Sequence, residues 1–141
     1  MVEIITLTPN SSSVYTVTGA NGNCITSKTA TINIIPSPTV TVSSATVCAG
    51  TSTIINASGA NTYSWSPATA LSATTGVTVT SNPTTTTTYT VTGTDNNGCT
   101  ASTQVTVTVN SLPVIAVAPA TICNGQSATL TASGASTYLW S

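Results

Sequence analysis

Valine and threonine alternate along much of the chain, in Thr39-Val40-Thr41-Val42, Val77-Thr78-Val79-Thr80, Tyr89-Thr90-Val91-Thr92 and Val105-Thr106-Val107-Thr108-Val109. A period of two sends successive side chains to opposite faces of a strand. These segments therefore predict half-buried strands with valine inward and threonine outward. No segment carries a convincing helical period. Turn-forming residues separate the strands: Ser58-Gly59-Ala60-Asn61 before Tyr63 and Trp65, Asn82-Pro83 before a threonine run, and Asp95-Asn96-Asn97-Gly98 in a hairpin. Six or seven short strands in about 75 residues fit an all-β, antiparallel two-sheet sandwich.

The pattern repeats. The stretch Cys48-Ala49-Gly50 through Ala57-Ser58-Gly59-Ala60-Asn61-Thr62-Tyr63-Ser64-Trp65-Ser66 returns as Cys123-Asn124-Gly125 through Ala132-Ser133-Gly134-Ala135-Ser136-Thr137-Tyr138-Leu139-Trp140-Ser141, a period of about 75 residues. The other half of the unit recurs too: Tyr15-Thr16-Val17-Thr18-Gly19 followed by Cys24 matches Tyr89-Thr90-Val91-Thr92-Gly93 followed by Cys99. The chain thus divides into 1–35, the closing half of one repeat; 36–110, a complete repeat; and 111–141, the opening half of a further repeat. Prolines mark both boundaries, in Ile35-Pro36-Ser37-Pro38 and Asn110-Ser111-Leu112-Pro113, where they end ladders and stiffen the joints. Between them the two halves lack little more than the counterpart of Pro67–Thr74, read as a surface loop.

Composition narrows the function. The only charged side chains are Glu3, Lys28 and Asp95, and there is no histidine, so general acid–base and triad chemistry have no imidazole and no paired carboxylates. An enzyme is not expected and no catalytic residue is assigned. A near-neutral chain lacks the basic patch that nucleic acid or anionic lipid would need. No apolar run reaches the roughly 18 residues of a membrane span. The start, Met1-Val2-Glu3-Ile4, lacks the regions of a signal peptide, so a secreted form is expected to be a processed or excised piece. About a quarter of the residues are threonine, whose hydroxyls replace charge as the hydrated surface.

The Cys-x-Gly opening, the Ala-Ser-Gly-Ala-x-Thr-Tyr-x-Trp-Ser segment, the Asn82–Cys99 segment and the Val-Thr-Val closing strand resemble Ig-like/PKD-like tandem repeats of very large secreted surface proteins in Bacteroidetes. That resemblance implies Ig-like antiparallel β-sandwich repeats in tandem, export by the type IX system, and an extracellular location at the cell surface. It implies a stalk, filament or cell-adhesion role. The cysteines do not occupy the two strands around the tryptophan, so the usual inter-sheet disulfide of antibody domains does not carry over.

Trp65, its equivalent Trp140, Tyr89 and its equivalent Tyr15 are the expected core aromatics. A simple up-and-down walk through the strands puts Cys48 and Cys99 at one end of the sandwich. That allows a bridge within the repeat, closing a loop of roughly 50 residues and contributing about 2 to 4 kcal/mol. Cys24 and Cys123 have no partner within their own half-units, so they are expected to bond to adjacent repeats of a longer chain or to each other between chains. In the second case the opening half of one molecule combines with the closing half of the next, a heterologous contact that propagates as a filament. No metal site is expected, since zinc would need four ligands and there is no CxxC pair. No cofactor is expected either.

A fibre or stalk role requires only stacking, disulfides and a solvated surface. The alternative is an adhesin module binding glycans or a surface receptor, which needs an exposed aromatic platform or a calcium loop. Asp95-Asn96-Asn97-Gly98 offers one carboxylate and reads as a turn. Ice binding would need a flat threonine grid, which twisted sandwich strands do not supply. Asn10-Ser11-Ser12 and Asn56-Ala57-Ser58 match the N-glycan pattern, a short motif common by chance here.

Overall fold

The computed structural model of the chain describes residues 2–141. It is all-β, with no helix among the described residues. The strands are β1 (Ser13–Asn21), β2 (Cys24–Ile32), β3 (Thr41–Val42), β4 (Ala45–Cys48), β5 (Thr53–Ser58), β6 (Thr62–Ser66), β7 (Thr78–Ser81), β8 (Thr87–Thr94), β9 (Thr100–Asn110), β10 (Ala116–Val117) and β11 (Ala132–Ser133). Strands β3 to β9 form a β-sandwich of a three-stranded sheet in the order β3-β5-β7 and a four-stranded sheet in the order β4-β9-β8-β6.

The alternation works as the pattern predicts where the sheets face each other. Ile55, Ala57 and Val79 from the smaller sheet meet Tyr63, Trp65, Tyr89, Val91, Val105 and Val107 from the larger, with Val40 closing the edge. On the outer faces hydroxyls pair across strands, Thr88 with Thr106 at 2.9 Å and Thr92 with Ser102 at 2.8 Å. These cross-strand pairs do the work that charges do on most sheet surfaces. Val77 departs from the expectation: it immediately precedes β7, lines an open groove beside β6 and stays exposed.

Two features were not predicted. First, β4 leaves the three-stranded sheet and pairs parallel with β9, aligning Ala45 with Val107 and Cys48 with Asn110. Second, Pro67–Thr74 is more than a surface loop. Its backbone is tied down by Thr74 O accepting from Trp65 N–H at 2.8 Å and by Ala70 O accepting from Asn82 N–H at 2.8 Å, while Leu71 packs on the core. Thr69 O accepts the hydroxyl proton of buried Tyr89 at 3.0 Å, and the Tyr89 oxygen accepts in turn from Ser81 Oγ at 3.1 Å. Tyr89→Phe removes both bonds and strands the fully buried Ser81 hydroxyl. The expected cost is about 1 to 3 kcal/mol, seen as a Tm lower by at least about 4 °C in a thermal melt.

The flanking segments copy the local structure of the complete sandwich. The β1–β2 hairpin pairs Tyr15 with Ala30 and Thr18 with Ser27, as β8–β9 pairs Tyr89 with Val105 and Thr92 with Ser102. At the other end β10–β11 pairs Ala116 with Ser133 and Val117 with Ala132, the counterpart of Thr41 with Ser58 and Val42 with Ala57. Tyr63 O–H donates to Ala60 O at 2.8 Å and its oxygen accepts from Ala60 N–H at 2.7 Å; Tyr138 makes the same pair of bonds with Ala135, both at 2.7 Å. Local sequence therefore sets these turns and pairings, whether or not a core forms around them.

Candidate functional site

Of the charged residues, Lys28 lies in β2 and Asp95 between β8 and β9. Asp95, in the β8–β9 turn, spends its carboxylate on that turn: Oδ1 accepts from Asn97 N–H at 2.8 Å and from Cys99 N–H at 2.9 Å. Gly98 supplies the left-handed φ of +83° that the turn requires. Among the described residues no group of three or more His, Cys, Asp or Glu side chains could hold a metal ion. A groove of the sandwich, between Asn61–Ser64 and Thr75–Val77, is open and is lined by no charged side chain.

The chemistry-bearing residues are the four cysteines and the aromatic pairs. Trp65 is 3% exposed and Tyr89 fully buried, the indole Nε1 donating to Gly76 O at 2.9 Å. The expectation that Trp140 and Tyr15 lie in a core is not met within this chain: Trp140 is 54% exposed and Tyr15 half-buried. The two-stranded sheets β1-β2 and β10-β11 have no facing sheet among the described residues. Leu130, the counterpart of fully buried Ile55, is also exposed, as is Val17, the counterpart of Val91. The glycines show the same vacancy. A Cβ on Gly93 would lie 2.6 Å from Val40 Cγ2 and 2.7 Å from Ala60 Cβ, whereas one on its counterpart Gly19 would meet nothing within 4 Å.

The Cys48–Cys99 bridge is corrected by the strand register. Cys99 immediately precedes β9, while parallel β4 sets Cys48 beside Asn110 at its far end. Eleven residues of extended chain separate the two levels, roughly 35 Å at the usual strand rise. A disulfide needs Cα atoms within about 4 to 7 Å. The simple up-and-down walk failed because β4 changes sheet and runs alongside β9. Cys48 is exposed at the end facing the following segment, and Cys99 sits at the end facing the preceding one, its thiol 3.9 Å from Ile35 O. Cys24 caps the β1–β2 turn opposite Asn21, and Cys123 lies in a turn held by Gln126 N–H donating to Cys123 O at 3.1 Å. Both are exposed, and all four thiols are free.

The distinctive site is therefore the pair of unit ends, with cysteines at the poles and half-built apolar faces alongside. No protein-family model and no curated protein matches the chain.

Proposed function

We propose that this chain is a non-catalytic structural repeat of an extracellular fibre or stalk at a bacterial surface. Its Ig-like units run in series, and each flanking half-unit is completed by a complementary half, supplied by a second copy of the chain head to tail or by an adjacent repeat of a longer chain. One observation carries this reading: both flanks hold the local pairing of the complete unit yet expose the counterparts of its core, Trp140, Leu130 and Val17. Placing residues 111–141 of one molecule against residues 1–35 of the next supplies the two halves of a sandwich. The resemblance to secreted surface repeats and the sparsely charged, threonine-rich exterior support the location.

Gly19→Leu tests the completion. Gly19 has open space around it in this chain, so the variant is expected to melt with the wild type. In a completed unit the same position is as crowded as Gly93, and head-to-tail association is expected to weaken at least tenfold. Sedimentation velocity reads it. Equal association of variant and wild type, or a wild-type chain that stays monomeric at millimolar concentration, overturns completion by a second copy and leaves completion by adjacent repeats.

The exposed Tyr138 and Trp140 favour one second reading, a glycan platform in an adhesin. Glycan-array binding lost in Trp140→Ala would establish it. The first reading stands ahead because the counterparts, Tyr63 and Trp65, are core residues.

A further inference from the structure

We propose that the cysteines are staples of the joints between consecutive units, each bond linking Cys48 of one unit to the Cys99 counterpart of the unit that follows. This rests on the reading that units stack in series, but not on whether neighbours belong to one molecule or two.

The two joints of the chain carry the inference. With a period of 75, Ile35 at the first joint corresponds to Asn110 at the second. The carbonyl of Ile35 receives the thiol of Cys99, from the unit that follows it, at 3.9 Å. The carbonyl of Asn110 receives Ala49 N–H, next to Cys48 of the unit that precedes the joint, at 2.8 Å. Each joint in this chain thus displays one side of a common arrangement. By the repeat equivalence of Ile35 and Asn110, the Cys48 backbone of the preceding unit and the thiol of the following unit meet at the same carbonyl group, which brings the two cysteines together. Both side chains are accessible there, Cys48 exposed and Cys99 half-buried. The Asp95 carboxylate, bonded to Cys99 N–H, holds the Cys99 end of the joint in place.

In a head-to-tail assembly the rule pairs every cysteine across molecules. Cys48 joins Cys24 of the next copy, because Cys24 is the Cys99 counterpart of the composite unit. Cys123 joins Cys99 of that same next copy. Each junction then carries two bonds, and neither is the Cys24–Cys123 pair expected from the sequence. Formation needs a disulfide oxidant such as oxidised glutathione. One protein thiolate attacks it and displaces a thiolate, and the second attacks the mixed disulfide and displaces the other. Two protein thiols become one disulfide, the oxidant becomes two thiols, and the two protons pass to the departing sulfurs.

The test uses two full chains fused head to tail through a copy of the Pro67–Thr74 octapeptide, oxidised with glutathione and mapped by mass spectrometry. The fusion removes any dependence on self-association. The expected links are Cys48 to Cys24 and Cys123 to Cys99, with half of each cysteine peptide left reduced. Links of Cys48 to Cys99 within a repeat, links of Cys24 to Cys123, or eight unreacted thiols in a cooperatively melting fusion overturn the joint staple. A fusion that melts without cooperativity hands the decision to the single chain, oxidised at millimolar concentration and mapped in the same way, where the same link types decide. Expected links in the fusion with a single chain that remains monomeric keep the staple and reject head-to-tail completion.

Discussion

Trp65→Ala is expected to remove about 3 to 5 kcal/mol from the sandwich, while Trp140→Ala leaves its melting unchanged. The two tryptophans occupy equivalent positions in near-identical sequence, Thr62-Tyr63-Ser64-Trp65 and Thr137-Tyr138-Leu139-Trp140. Trp65 fills the space between the sheets and bonds Gly76 O, so truncation opens a cavity and leaves that carbonyl without its partner. A unit of this size has a total stability on the order of 5 kcal/mol, so the substitution leaves little or no cooperative transition. Trp140 has no opposing sheet in this chain, and its loss leaves no cavity behind. Far-UV circular dichroism melts of both variants check the contrast; equal losses would mean that Trp140 is already part of a core.

Gly59→Ala has the second-largest expected effect, a loss of about 3 kcal/mol or more. Gly59 sits at φ +95°, where a Cβ alone costs roughly 1 to 2 kcal/mol. That Cβ would also collide with the carbonyl oxygen of Thr39. The obstacle is backbone just before β3, so relief requires moving the strand and Val40 with it. Gly134 repeats the geometry at φ +99° against Val114 O, and Gly134→Ala is expected to disturb β10–β11 without changing the melt of the sandwich. Urea midpoints separate the two: similar shifts for both would show that the half-unit and the sandwich unfold as one.

These contrasts mark what could be read from the chain. The inward valines of β8 and β9, the turn at Asp95 and the 75-residue period follow from local pattern, because alternation and turn chemistry act within a few residues. The parallel placement of β4 does not. Ala45-Thr46-Val47-Cys48 alternates in the same way whichever sheet it joins, and its pairing with β9 is a contact more than 60 residues away in sequence. That long-range choice sets Cys48 at the opposite pole from Cys99, out of reach of a bridge within the unit. The loop Pro67–Thr74 carried a weaker clue: a buried tyrosine hydroxyl needs an acceptor, and Thr69 O supplies it. The exposure of Trp140 was not legible from repeat equivalence, since equivalence predicts burial only where both halves of a unit are together.

Completion of the half-units is tested most directly by the solvent access of Trp140, followed by acrylamide quenching alongside sedimentation across concentration. The dilute chain is expected to show one protected and one accessible tryptophan, and the accessible class is expected to vanish as head-to-tail species accumulate. An accessible tryptophan that persists in the sedimenting assemblies, or a chain that never assembles, would contradict completion of the split unit by a second copy.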